Sequence, residues 1–215
     1  LVREGWVEVM VPMMVEVLAE TGTDEPAAEL DRLCRSFVME LTGKQTIYQM
    51  IRLAEEVRRR GGDPHEPVVY KHRYHELLMG RISNRREQLR SRSVDPASML
   101  VPGATAVLEG LQRRGVNLYL ASGTDAAYVH QEAELLGVEG YFGSQIYGAV
   151  DDFRSFSKQM VIEQLLEENQ VDASRLVGFG DGYVEIDNVK SSGGLAVGVA
   201  SNESERDGSV DLWKR

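Results

Sequence analysis

Cysteine is almost missing from this 215-residue chain: Cys34 stands alone, so neither an intrachain disulfide nor a Cys-rich zinc site can form. Long apolar runs are missing too. The longest, Val9 to Val15, is interrupted by Pro12 and falls far short of a membrane span. No cleavable signal is visible, and the chain opens at Leu1 rather than a methionine. The expected compartment is reducing cytoplasm. Positive charge is scarce: 24 basic side chains face 34 acidic ones, for a net charge of −10. The deficit is uneven, because residues 1–100 carry 15 basic and 16 acidic side chains while residues 101–215 carry 9 and 18. That excludes a broad electrostatic footprint for nucleic acid and argues against a membrane surface as partner. It suits a protein that handles a cation, or an anion presented through one. What is there is ordinary globular material: 42% apolar and 27% charged residues argue against disorder, and 24.0 kDa suggests one sizeable domain or a domain with a second inserted.

Two stretches read differently. Up to residue 95, apolar positions recur at three and four, the spacing of helices. Trp6, Met10, Met13, Met14, Val17 and Leu18 form one stripe, and Leu30, Leu33, Cys34, Phe37, Val38 and Leu41 a second. Ile47, Met50, Ile51 and Ala54 make a third; Tyr70, Tyr74, Leu77, Leu78 and Ile82 make a fourth. Breaks are expected at Thr21–Pro26, Gly43, Gly61–Pro67 and Asp95–Pro96. From residue 96 onward, β-rich runs at Val116–Ala121, Ile146–Val150, Leu176–Gly180 and Leu195–Ala200 read as buried strands. Helical patterns separate them, at Ala104–Arg114, Ala126–Leu136, Ser157–Glu168 and Glu185–Ser191. Strand–helix alternation implies a layered α/β domain with a parallel sheet. In such a sheet ligands bind beyond the carboxyl ends of the strands. Ser122 and Gly123 follow one strand and Asp181 and Gly182 another, so a central strand between those two would be missing from the sequence.

Three segments carry chemistry. Around Gly178-x-Gly180-Asp181-Gly182, a strand runs into a glycine turn, and Glu185 follows Asp181 by one helical turn. Two acids at a strand terminus make half of a hard-cation site of the kind Mg²⁺ completes with water and phosphate. A helix cap with a dipole-complementing acid is the plainer reading. A dinucleotide loop is a third, but the G-x-G-x-x-G spacing is absent. At Ala121-Ser122-Gly123-Thr124-Asp125, a hydroxyl and backbone N–H groups could hold a phosphate oxygen. Ser122 is a poor nucleophile candidate, since Leu120 stands where a G-x-S-x-G elbow needs glycine; a plain cap at Ser122 or Asp125 is the alternative. Lys158 sits at a helix start, where the dipole disfavours it unless an anion or carboxylate lies close by; an exposed lysine is the bland reading.

In that order, strand-Ser, helix-start Lys and strand-Gly-Asp-x-x-x-acid resemble the last three motifs of the haloacid dehalogenase (HAD) superfamily. Residues 100–200 look most like its phosphoglycolate-phosphatase-like branch. The resemblance implies a Rossmann-like parallel-sheet core at 96–215 with an inserted α-helical cap at 1–95. It also implies a Mg²⁺-dependent phosphatase that acts on a small phosphorylated metabolite through an aspartyl-phosphate. Ser122 and Gly123, with Thr124, would hold the phosphoryl group, Lys158 would stabilise it and the nucleophile, and Asp181 and Glu185 would bind Mg²⁺. Glutamate at 185 replaces the family's commoner aspartate. Lys44, Gln45 and Thr46 after Gly43 fall where such caps dip a substrate-reading loop towards the site. The family's first motif, Asp-x-Asp-x-Thr or Asp-x-Asp-x-Val, is nowhere in these residues. The expectation is therefore a core without its first central strand, its nucleophile upstream of Leu1 and its C-terminal end, at Trp213-Lys214-Arg215, in question. A non-catalytic anion- or nucleotide-binding module, or a degenerate scaffold, is the rival reading.

Other features read as bland. His72 and His75 suggest a polar helix face or a cap-to-core contact. Arg85, Arg86, Arg90 and Arg92 suggest a solvated face, and Met10–Met14 core packing. Asp151 and Asp152 are second-tier candidates for the rim of the site.

Overall fold

Apolar spacing closes the first stretch into four helices, α1 (Val7–Ala19), α2 (Ala27–Glu40), α3 (Thr46–Arg59) and α4 (Pro67–Arg90), in a computed structural model that describes residues 2–150 and 153–199. The methionine stripe is the reason they pack: Met10, Met13, Met14 and Leu18 are at most 1% exposed, against Leu30, Cys34, Met50, Leu53 and Leu78 of the other helices. Burying each large side chain contributes about 1.5–3 kcal/mol. That outweighs the one helical hydrogen bond Pro12 removes from α1. Pro67 opens α4, where its missing N–H costs nothing. α4 runs past the expected stripe to Arg90, through two charged turns anchored by the buried Leu89.

The rest alternates as expected: α5 (Ala104–Arg113), β1 (Leu120–Asp125), α6 (Ala126–Leu135), a single-turn α7 (Glu139–Phe142), β2 (Ile146–Ala149), α8 (Lys158–Asn169), β3 (Val177–Gly180), α9 (Tyr183–Ser191) and β4 (Leu195–Gly198). β1 pairs parallel with β2, and β3 with β4. Each face of the β1–β2 sheet carries its own cluster: Val129, Ala133 and Ile146 with α6, Ala149, Phe156, Val161 and Leu165 with α8. The molecule is thus a mixed α/β protein with parallel strands behind a helical region. Among the described residues no helix is long and apolar enough to cross a membrane.

Two expectations need correcting. The strand expected at Val116–Ala121 begins at Leu120, because its ladder can start only where β2 offers partners: Leu120 N–H donates to Gln145 C=O at 2.9 Å. Val116 is left 46% exposed. The four strands form two separate two-stranded sheets, and no further strand among the described residues joins β1 to β3, the place where the sequence reading leaves a central strand missing. β3 and β4, expected to be buried, are covered on one face only among the described residues. There Gly178 and Gly180 let α9 close in, whereas Val177, Phe179 and Leu195 stand 47%, 50% and 62% exposed on the other. Asp151, Asp152, Ala200 and the C-terminal tail lie outside the described residues.

Candidate active site

The β1–β2 ladder holds an irregularity that shapes the site. Ala121 pairs with Tyr147 and the next pair is Asp125 with Ala149, so β1 advances four residues while β2 advances two. Ser122, Gly123 and Thr124 stand opposite Gly148 alone, a bulge within the strand. Ser122 therefore stands inside β1 rather than beyond its end. The Ser122 hydroxyl oxygen accepts from the Thr124 N–H at 3.2 Å. Gly148 makes the bulge possible, since a Cβ there would meet the Thr124 carbonyl at 2.9 Å.

Over this bulge lies the loop between α2 and α3. Gly43 turns it with φ +91, a conformation side chains resist. The Lys44 carbonyl oxygen then comes to rest 2.8 Å from where a Cβ on Gly123 would stand. Gln45 occupies the cap position of α3 but does not cap it; its side-chain amide donates to the Phe156 carbonyl at 2.6 Å, and the residue is 5% exposed. The Lys44 side chain is exposed, and Thr46 begins α3.

Phe156 leads directly into the third segment. Ser157 caps α8, its hydroxyl accepting from the Met160 N–H at 3.1 Å. Lys158 is thereby set in the first turn of α8, where its ammonium forms an ion pair with Glu185 Oε1. Glu185 belongs to the first turn of α9, which starts two residues earlier than the sequence pattern suggests. The carboxylate is surrounded by glycines: a Cβ on Gly43 would stand 2.6 Å from Oε2, one on Gly180 would stand 2.7 Å from the Glu185 Cβ, and one on Gly182 would also collide. Oε2 itself is buried and finds no hydrogen-bond partner among the described residues.

Gly43, Lys44, Gln45, Gly123, Lys158 and Glu185, scattered along the chain, thus meet in one contact neighbourhood. Ser122 and Thr124 adjoin it through Gly123. Asp181 adjoins it through Gly182 and is exposed on the turn after β3. The lysine unfavourably placed for its helix dipole faces a carboxylate, as that placement suggested.

One cluster escaped the sequence reading. Asp125 takes the cap position of α6, yet its side chain makes no cap bond. It faces α4 instead, with Oδ1 2.6 Å from the Lys71 ammonium and Oδ2 3.7 Å from His75 Nδ1. Lys71 and His75 are 7% and 5% exposed. Burial pushes the His75 imidazole down to about 4, against the opposite pull of Asp125 and helped by Lys71. His75 is therefore no part of a polar helix face. The available signal was a lysine on α4's buried stripe, four residues before His75 and seven before Leu78. Next to this cluster, Arg3 Nε donates to both carboxylate oxygens of Glu132 at 2.9 and 2.8 Å. Arg86 is occupied too, donating to Gln131 at 2.8 Å.

Among known proteins, the model of the haloacid dehalogenase-like hydrolase family matches residues 42–193. No curated protein matches the chain. Of solved structures, a β-phosphoglucomutase from Clostridium difficile superposes with a TM-score of 0.60 at 13% identity, covering 97% of this chain and 92% of its own. A predicted phosphoglycolate phosphatase from Haemophilus somnus 129PT superposes with a TM-score of 0.57 at 15% identity, covering 91% and 80%. At these identities the likeness is one of fold, including the helical region ahead of the parallel strands.

Proposed function

The chain belongs to the haloacid dehalogenase-like hydrolase family, and on that premise we propose that it is the helical cap (1–95) and α/β body (96–215) of a Mg²⁺-dependent phosphatase of the reducing cytoplasm. The observation that carries this reading is the Lys158–Glu185 pair, beneath the Gly43–Gln45 loop that also covers Gly123. A fixed cation, an acid and a side-chain-free floor are what a transferring phosphoryl group needs, since its catalysis is chiefly positioning and charge stabilisation.

Each residue has a role in the reading. The Ser122 hydroxyl already accepts from Thr124 N–H, which leaves its own proton available to a phosphoryl oxygen beside the Gly123 N–H. Lys158 neutralises charge on the phosphoryl group. Asp181 and Glu185 would hold Mg²⁺, and the residues fit: Glu185 Oε2 is a buried acceptor without a hydrogen-bond partner among the described residues, which a hard cation would satisfy. Among those residues no three His, Cys or acidic side chains gather closely enough to hold a metal by themselves. Water, phosphate and a further carboxylate would complete the shell. When bound, the ion offsets the negative charge at the reacting centre.

The Asp-x-Asp nucleophile motif is not among the 215 residues. The reading assigns it to a further strand between β1 and β3, which belong to separate sheets. Its carboxylate would displace the substrate alcohol from phosphorus, and water would then release phosphate from the aspartyl-phosphate. These 215 residues alone would hold phosphate without turning substrate over. Gln45 is engaged with Phe156 and acts as a tie for the loop, so Lys44 and Thr46 are the substrate readers. The names carried by the two similar structures, a phosphoglycolate phosphatase and a β-phosphoglucomutase, agree with a small phosphorylated metabolite as substrate.

The test is a panel of small phosphomonoesters offered to the whole native protein with and without Mg²⁺, beside its Asp181→Asn variant. Mg²⁺-dependent phosphate release that disappears in the variant is the expected result. Unchanged release in the variant removes the metal assignment. A native protein inert on the whole panel leaves the non-catalytic anion-binding module as the reading.

A further inference from the structure

We infer that Asp125 is a positioning residue for the Ser122–Thr124 bulge, held in place from the helical region by Lys71 and His75; the inference rests on the phosphatase reading and goes beyond it. Asp125 is where the β1–β2 ladder resumes after the bulge, paired with Ala149. Its backbone therefore fixes the far end of the three unladdered residues. The near end is fixed by Ala121 on Tyr147. What keeps the far end from sliding is the side chain, and that side chain is committed to α4.

The commitment is one of charge: Asp125 Oδ1 is buried with no hydrogen-bond partner among the described residues, so the Lys71 ammonium beside it is what answers it. An aspartate at a helix N-cap ordinarily accepts from the first turn of its own helix. Asp125 makes no such bond and faces the Lys71 ammonium at 2.6 Å instead. Lys71 is 7% exposed, and a buried ammonium without a counter-charge is strongly unfavourable, so the lysine holds the carboxylate as firmly as the carboxylate holds it. His75, one turn along α4, stands by the second oxygen at 3.7 Å and packs edge-on against Tyr128 of α6, with ring centroids 5.3 Å apart. Arg3 lies over the other part of that contact, 5.4 Å from the Tyr128 ring. α4 thus grips β1 and α6 at their junction. The helical region reaches the bulge twice: the Lys44 carbonyl stands over Gly123, and the Lys71 ammonium anchors Asp125. Seating of the helices and shape of the phosphate-holding bulge become one variable.

The experiment uses the whole native protein with p-nitrophenyl phosphate as substrate and inorganic phosphate as competing ligand, both with Mg²⁺. Lys71→Met and Asp125→Asn should each weaken phosphate inhibition and lower kcat/KM at least about tenfold, and Lys71→Arg should restore most of the loss. The apolar pair Lys71→Met with Asp125→Leu covers the case in which the single variants do not fold. It should recover the melting temperature without recovering phosphate inhibition. A stable double variant with native kinetics and inhibition would overturn the inference. A further measurement needs no variant: saturating phosphate should slow amide exchange in residues 120–126 and 67–78 together. Slowing confined to 120–126 would equally overturn it. A wild-type protein that neither hydrolyses the ester nor binds phosphate takes down the phosphatase reading, and this inference with it. Wild-type activity with indifferent variants sinks the inference alone.

Discussion

The Lys44 carbonyl oxygen sits 2.8 Å from the point a Cβ on Gly123 would occupy, and the Lys44 carbonyl carbon 3.1 Å from it. Backbone meets backbone here, so a methyl cannot be absorbed by a rotamer change. Gly123→Ala is expected to lift the Gly43–Gln45 loop, lowering stability by about 1–3 kcal/mol. On the phosphatase reading, kcat/KM of the whole native protein should fall at least about tenfold. Thermal melting with steady-state kinetics checks both, and native kinetics would show that the loop does not wall the site.

Lys158 and Glu185 depend on one another in an unequal way. Lys158→Met leaves a largely buried carboxylate with neither oxygen paired, at a cost of about 1–3 kcal/mol, whereas Glu185→Gln keeps an acceptor for the ammonium. The lysine variant should therefore melt lower than the glutamine variant. Added Mg²⁺ should raise its melting temperature by more than it raises that of the native chain, because binding to the folded state stabilises by mass action. Differential scanning calorimetry across a Mg²⁺ series reads this directly, and equal shifts would remove Glu185 from the metal assignment.

His75 predicts a pH dependence of stability. The unfolded chain takes up a proton at this residue near pH 6.5, while the folded chain refuses it until about pH 4. Between those values the unfolded state binds more protons, so stability falls as pH drops through the window and levels off below it. The full effect is roughly 3 kcal/mol. His75→Gln should flatten the slope between pH 6.5 and 4 in urea unfolding curves. Parallel pH profiles for the two proteins would rule out a buried neutral imidazole.

Cys34 is fully buried, and burial pushes its thiol up to about 12. A thiolate-dependent reagent should therefore leave the native chain untouched and label it once upon unfolding. Fast labelling of native protein would mean that the α1–α3 core opens readily.

The helices were legible because the amino-terminal half obeys one local rule. Met10, Met13, Met14 and Leu18 repeat at helical spacing and all end up in the core. Lys158 and Glu185 were legible for a chemical reason: a lysine at a helix start and an acid one turn after a strand-end aspartate are both awkward unless something answers them. What failed was non-local. The start of β1 depends on where β2 offers its carbonyls, so the strand shifted and Ser122 moved inside a bulge that no property of Ser122 encodes. Asp125 looked like a cap because its own neighbours allow it; its real partner, Lys71, comes from a different helix. Burial of β3 and β4 was misread because a β-rich run says that a strand wants cover, not whether a neighbour supplies it.

The bare face made by Val177, Phe179 and Leu195 also has practical weight. Short parallel strands with greasy side chains turned to water are natural templates for self-association. The protein should clump as its concentration rises. Multimers that form under those conditions should have this sheet surface at their contact, and a polar substitution at Phe179 should disperse them.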